Sequence, residues 1–168
     1  LAEEMILFNP TETNGAVLKI NNFQSKPNTN LLPAKAPIKM VYLDKKAYED
    51  FHKANKDKTE AELKKLPEAT RQVAKMLIEA FEGFSYFGEY DNQLTFLLEG
   101  DVGKLVDVKF EDENGQEIER NGSFSSGGNL FAYMFNTKPS PKWKMTVLVE
   151  TDGAIKRLPF ALKEIELP

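Results

Sequence analysis

Closely spaced oxygen-bearing side chains occur in two short segments that could hold a cation. Residues 111–114 contribute Glu111, Asp112 and Asn114, and residues 89–92 form a similar group. Carboxylate and amide oxygens are the hard ligands that calcium prefers. Neither spacing fits an EF-hand loop, and Asp and Asn are also common in tight turns because they hydrogen-bond to the backbone. We therefore expect plain turns and no metal, with Glu111, Asp112 and Asn114 as the calcium candidates if a metal is bound.

The remaining chemistry is sparse. His52 is the only histidine, and the chain has no cysteine. The absence of cysteine excludes disulfide bonds, thiolate catalysis and zinc sites that need sulfur ligands. A lone histidine would need a nucleophile beside it to act as a catalytic base, and no phosphate-binding loop, dinucleotide fingerprint or serine nucleophile elbow occurs. We expect no catalytic residue and no cofactor. A hydrolase with two carboxylates brought together by the fold is the third hypothesis.

Aromatic residues are frequent, with 12 Phe, 5 Tyr and 1 Trp. A row of exposed rings could stack on sugars, which gives the alternative hypothesis of a carbohydrate- or small-ligand-binding protein. However, Trp143 alternates in step with Met145 and Val147, as expected for a strand with one buried face. We expect the rings to lie in the core, and the exposure of Trp143, Tyr133 and Tyr86 tests this.

One part of the chain, about residues 44–82, has the pattern of helix. Asp44 is a suitable N-cap. An interruption is expected at residues 55–58, followed by a second helix that starts with a capping box at Thr59 and is kinked by Pro67. The apolar stripe beyond this proline consists of Val73, Met76, Leu77, Ala80 and Phe81. We expect this stripe to pack as a lid on a sheet, and a groove for a partner is the alternative.

The rest of the sequence predicts short strands. Before the helix, residues 3–8 and 16–20 are predicted to form a hairpin-like pair, residues 21–37 a long loop and residues 38–43 a strand. After residue 83 the strands follow each other with turn signals between them. Within the strands after residue 83, the side chains predicted to face inward include Leu94, Phe96, Leu98, Val106, Val108 and Phe110.

Four further details of the C-terminal half can be predicted. Asn114 and Gly115 have the composition of a two-residue type I′ hairpin turn, in which both residues have positive φ. Residues 123–129 are expected to be a loop. Residues 130–135 are apolar on both faces and therefore need cover on both. Pro159 lacks an amide donor, so the last strand should be an edge or bulged strand.

Together these elements predict a mainly β (α+β) fold, an antiparallel Ig-like β-sandwich with the helical segment packed on one sheet. We expect a single compact unit in which residues 1–83 pack on a sandwich of residues 84–168, and two small domains with a boundary near residue 83 are the alternative.

Composition narrows the function. The net charge of −4 gives no basic surface for nucleic acid, and no apolar run approaches the roughly 20 residues that span a bilayer. We expect a non-enzymatic interaction or structural domain of a secreted or cell-envelope protein. Its partner would be another protein or another domain of the parent chain. The partner-surface candidates are Tyr133, Phe131 and Phe135 on the strand that is apolar on both faces.

Overall fold

The computed structural model of the chain describes residues 2–68, 70–72, 90–126 and 128–161. In this part of the chain, nine strands form three antiparallel sheets, and the α-helix α1 (Lys45–Leu63) lies between the third and fourth strands. The strands are β1 (Ala2–Phe8), β2 (Val17–Ile20), β3 (Ile38–Leu43), β4 (Gln93–Gly100), β5 (Leu105–Glu111), β6 (Gly122–Ser126), β7 (Leu130–Met134), β8 (Lys144–Val149) and β9 (Ile155–Ala161).

Two of the sheets share one apolar core. The four-stranded sheet has the order β3-β4-β7-β6, and the three-stranded sheet has the order β2-β8-β5. Alternate residues of their strands point into a common buried cluster. The ring of Phe96 on β4 and the ring of Phe110 on β5 stack with centroids 6.4 Å apart. The prediction of a mainly β, sandwich-like α+β fold is therefore confirmed.

The third sheet contains only β1 and β9. The predicted hairpin of the first two strands is wrong, because β1 pairs with β9 and β2 pairs with β8. Between β1 and β2 the chain makes a local loop instead of reversing. The Asn9 amide donates to the Ala154 carbonyl at 2.8 Å, and the Val149 amide donates to the Ala16 carbonyl at 2.9 Å. The N-terminal segment that contains β1 and β2 therefore runs beside the C-terminal segment that contains β8 and β9.

The helix differs from the prediction at its centre. Asp44 is the N-cap, and its Oδ1 accepts from the Ala47 amide at 2.8 Å, as predicted. The expected interruption at residues 55–58 is wrong, since α1 runs through them to Leu63. These residues include no Gly or Pro, and extending a helix costs much less than starting one. The helix ends before Pro67, because a proline disfavours helical geometry in the residue that precedes it.

Several predictions lie outside the described residues. They are the stripe Val73, Met76, Leu77, Ala80 and Phe81, the domain boundary near residue 83, and Tyr86. Within the described residues, Glu68 and residues 70–72 are helical. The β7 strand has the expected cover on both of its faces: Tyr133 is buried on the core side, and Leu130 and Ala132 are buried on the other.

Strand β5 contains a bulge that the alternating pattern conceals. The register against β8 shifts between Leu105 and Asp107. A bulge inserts an extra residue and so changes which side chains face the core. Val106, predicted to face inward, is consequently 49% exposed, while Val108 and Phe110 are buried as predicted.

Two local corrections complete the fold. Residues 123–126, predicted as loop, belong to β6, which pairs with β7. The hairpin after β5 is not a type I′ turn, because Gly115 has a φ of 84° while Asn114 is not among the residues with positive φ. The Gly115 amide donates to the Asp112 carbonyl, and the Asp112 amide donates to the Gln116 carbonyl. This is a three-residue hairpin loop with a glycine bulge.

Candidate interaction surface

The two-stranded sheet of β1 and β9 is here called the terminal ribbon. Its seven residue pairs run from Ala2 opposite Ala161 to Phe8 opposite Ile155. Side chains that face each other across an antiparallel pair lie on the same side of the sheet. A two-stranded sheet has no interior, so each of its two faces must be covered by something else or left to solvent.

Both faces of the terminal ribbon carry large apolar side chains in solvent. Met5, Leu7 and Leu158 share one face and are 47%, 40% and 47% exposed. On the other face Ile6 is 59% exposed, and Phe8 and Ile155 are half-buried. The sandwich core, in contrast, is well buried. Apolar side chains grouped on an exposed surface mark an interaction site more often than single ones do.

The terminal ribbon is anchored to the sandwich at one end by Asn14. Its Nδ2 donates to the Asn9 carbonyl at 2.9 Å and to the Gly153 carbonyl at 3.3 Å. The backbone carbonyl of Asn14 accepts from the Thr151 hydroxyl at 3.0 Å. These bonds join the loop before β2 to the turn before β9. They fix the base of the terminal ribbon relative to β2 and β8.

The face of Ile6 on the terminal ribbon carries an ion pair, and Lys156, opposite Leu7, lies on the other face. The Arg157 guanidinium contacts the Glu4 carboxylate at 3.3 Å, and both side chains are mostly exposed. An exposed pair of this kind contributes little to stability. Its position matters more, because Arg157 lies opposite the exposed Ile6 and Glu4 lies two residues before Ile6 on the same face.

The partner-surface residues expected from the sequence lie in the sandwich. Tyr133 and Phe135 are 5% and 3% exposed, and Phe131 is half-buried against the same core. Burial raises the pKa of Tyr133 to about 12. The Phe135 ring packs edge-on against Trp143 with centroids 5.0 Å apart. In this chain these rings join the two sheets.

A shallow groove of about 270 Å³ follows β5 and the segment after its hairpin. The charged residues in its lining are Lys109, Glu117, Glu119 and Arg120, and Arg120 makes intramolecular contacts. The guanidinium lies 3.1 Å from the Asp107 carboxylate and 5.4 Å from the centre of the Tyr133 ring. The charge of Arg120 is therefore balanced within the chain, while Lys109, which also lines the groove, is exposed.

Of the calcium candidates, Glu111 is the last residue of β5, and Asp112 and Asn114 lie in the hairpin that follows. Asp112 Oδ1 accepts from the amides of Asn114 and Gln116 at 2.8 Å each, and Oδ2 accepts from the Asn114 side chain at 3.3 Å. These bonds, led by that of the Gln116 amide, hold the pKa of Asp112 below its ordinary value. These hydrogen bonds give the aspartate and the asparagine a structural role in the turn that requires no metal. Among the described residues, no group of three or more His, Cys, Asp or Glu side chains could hold a metal ion.

His52 lies within α1, and its side chain is outside the described part of the structure. Of the aromatic residues proposed to test sugar stacking, Trp143 and Tyr133 are both buried, at 7% and 5% exposure. Across the described residues, no helix is long and apolar enough to cross a membrane.

Sequence reasoning missed the terminal ribbon as a surface, although a signal was present. Residues 5–8 are four consecutive apolar residues, whereas a strand with one buried face alternates apolar and polar residues. Four consecutive apolar residues predict a strand with two apolar faces. The sequence does not predict that this strand pairs with β9, in a sheet that leaves apolar side chains of both faces exposed.

Comparisons with protein-family models, with curated proteins and with solved structures found no match to this chain.

Proposed function

We propose that the protein is a non-enzymatic interaction or structural module of a secreted or cell-envelope protein. In this proposal the sandwich is a rigid support and the terminal ribbon is the contact element. The observation that carries the proposal is the exposure of Met5, Ile6, Leu7 and Leu158 on one small sheet. Leaving such side chains in water costs about 25 cal/mol per Å² of apolar surface, which association with another protein would recover.

The burial of Trp143 and Tyr133 supports this function over the carbohydrate-binding alternative. Sugar binding by stacking requires exposed ring faces, and the rings of Trp143 and Tyr133 are enclosed in the core. The inter-sheet contact of Phe135 with Trp143 gives Trp143 a structural role.

We further propose that the sandwich is Ig-like with one strand replaced. In an Ig constant-type domain, a sheet of order A-B-E-D faces a sheet of order C-F-G. The order β3-β4-β7-β6 corresponds to A-B-E-D, and β5 and β8 correspond to C and F. The place of G is taken by β2 from the N-terminal side, while β9, which follows F in the chain, belongs to the terminal ribbon.

An engineered disulfide tests the replaced strand. Lys19 on β2 lies opposite Thr146 on β8. The backbone N–H and C=O groups of this pair point away from each other, and in such a pair the two Cα atoms are close enough for a disulfide. The natural chain has no cysteine, so the double variant Lys19→Cys, Thr146→Cys should form one intramolecular disulfide. The control pair Lys19→Cys, Lys39→Cys places the second cysteine on the other sheet and should remain reduced. A reduced first pair would contradict the placement of β2.

Site-specific photocrosslinking tests the interaction surface. A photoreactive amino acid at Ile6 should crosslink to a partner in the secreted or envelope fraction of the cells that make the protein. The same amino acid at Val106 is the control, because this side chain is similarly exposed but lies on the sandwich. Equal crosslinking at both positions, or none at Ile6, would count against the terminal ribbon as the contact element.

A further inference from the structure

We propose that the outer edge of β1 pairs antiparallel with β1 of a second copy of this chain. The two terminal ribbons would form one four-stranded sheet of order β9-β1-β1-β9 about a two-fold axis. This inference rests on the proposed function and names the partner of the same surface.

The edges of the terminal ribbon differ in their ability to accept another strand. Because the Asn9 amide bonds to Ala154, alternation along the ladder points the amides of Leu7 and Met5 inward and those of Ile6 and Glu4 outward. Pro159 lies opposite Glu4, in a pair whose backbone groups point outward. Proline has no amide hydrogen, so the outer edge of β9 lacks a donor at this position. The outer edge of β1 contains no proline.

Other strand edges of the sandwich are covered or short. Residues 28–31 bond along β3 through the Asn28 amide to Tyr42 and the Leu31 amide to Met40, and the Ile118 amide bonds to Phe110 on β5. The edges of β2 and β6 have only four and five residues. Natural proteins shorten, cover or interrupt edge strands because exposed ones pair with other chains. Among the described strands, β1 is a seven-residue edge that is neither short nor interrupted by proline, and no described segment bonds along its outer side.

A two-fold axis at Met5 gives the register that pairs all seven residues of β1. Met5 then lies opposite Met5 of the second copy, and Glu4 lies opposite Ile6 of the second copy. Registers centred near Glu4 would instead place two carboxylates directly opposite each other, which is less favourable than the diagonal arrangement about Met5. Adding strands would also stabilise the terminal ribbon itself. A two-stranded sheet is only marginally stable, whereas a sheet of three or more strands with an apolar face can be stable by itself.

The charges of the terminal ribbon suit a second copy as the occupant, because each copy brings one base, Arg157, for one acid, Glu4, on this face. In this register, Glu4 shares a row with Ile6 and Arg157 of the second copy, and strands two apart are roughly 10 Å from each other. Each Glu4 carboxylate would then lie 3.3 Å from its own Arg157, in the same row as Arg157 of the second copy and diagonally opposite Glu4 of the second copy. The contact is small, so we expect a reversible dimer whose population rises with concentration.

A single cysteine tests the edge and the register together. Met5→Cys places the thiol next to its copy at the axis, in a pair that lacks direct backbone bonds and has short Cα separation. Under mild oxidation this variant should run as a covalent dimer on a non-reducing gel. Leu158→Cys is the matched control, because Leu158 is opposite Met5 and equally exposed but lies on the strand closed by Pro159; it should remain monomeric. Equal crosslinking of the two variants would overturn the proposal.

A second variant separates this inference from the proposed function. Ile6→Pro removes an outward amide that makes no bond within the terminal ribbon, so the ribbon keeps its pairing with β9. In sedimentation across a concentration series, wild type and Ile6→Val should dimerise and Ile6→Pro should remain monomeric. A monomeric wild type that still crosslinks through residue 6 to another protein would refute the dimer and leave the proposed function standing. A monomeric wild type without such a crosslink would refute both.

Discussion

Gly115 lies in the hairpin after β5 with a φ of 84°, and a Cβ at this position would meet no atom within 4 Å. The conformation, and not lack of space, therefore demands glycine. Positive φ is costly for a β-branched residue and is tolerated by asparagine.

Gly115→Val should lower the free energy of unfolding by about 1 kcal/mol or more, because valine must adopt positive φ. Gly115→Asn is the control and should cost less, since asparagine visits this region more readily. Denaturant unfolding of the two variants measures the difference. Equal stability of wild type and the valine variant would show that the turn does not have this geometry.

Asp112 gives the same hairpin a defined response to pH. Its folded-state pKa lies below the ordinary value of 3.8, mainly because the Gln116 amide donates to the carboxylate. A lowered pKa means that the stabilisation is complete above the ordinary value and is lost as the pH falls through the folded value.

We therefore expect the stability difference between wild type and Asp112→Asn to be constant near neutral pH and to shrink below pH 3.8. Urea midpoints across this range measure it, and NMR titration of the Asp112 carboxyl group should give a pKa below the ordinary value. An ordinary pKa in the folded protein would contradict the hydrogen bonds assigned to this carboxylate.

At the scale of elements, β5 shows how a bulge redirects side chains. Val106 and Val108 are two residues apart, so ideal alternation would give them the same face. The register shift between Leu105 and Asp107 leaves Val108 buried and Val106 in solvent. The two valines form a matched pair within one strand.

Burying a whole valine side chain contributes about 1.5–3 kcal/mol. Because alanine keeps the Cβ atom, Val108→Ala should destabilise the protein by an amount near the lower end of this range. Val106→Ala should change stability by no more than about 0.5 kcal/mol, as exposed substitutions do. Chemical denaturation of both variants checks the pair. Similar costs at both positions would show that β5 has no bulge and that the alternating pattern was correct.

At the scale of the whole molecule, the segment before β3 completes the core. Phe23 lies in a short 3₁₀ turn and is fully buried. Its ring lies 6.0 Å from that of Phe96 and 6.2 Å from that of Phe110, measured between centroids. A residue from a polar connecting segment therefore contacts both sheets.

Phe23→Ala should cost about 3–5 kcal/mol, the range for truncating a buried phenylalanine. Lys26→Ala in the same segment is the control, and its exposed side chain should make the change nearly neutral. Thermal or denaturant unfolding distinguishes the two. A small effect of Phe23→Ala would mean that this segment is not part of the core.

The sequence by itself determined those features that depend on neighbouring residues. Asp44 as the helix N-cap, the inward-facing Leu94, Phe96 and Leu98 of β4, and Pro159 on an edge strand are all in place. Each follows from local physics: a side-chain oxygen that reaches an amide three residues on, the two-residue period of a strand, and the missing amide of proline.

Only the tertiary structure decided which strands pair, and therefore which apolar side chains reach solvent. Met5 and Leu158 are distant in sequence, and an apolar run such as residues 5–8 is equally suited to a buried strand. Their exposure depends on β1 pairing with β9 outside the sandwich while β2 takes the place beside β8. Segments distant in the sequence can pair with the same strand edge, and the packing of the whole core decides which of them does. Short-range sequence patterns therefore do not predict the pairing.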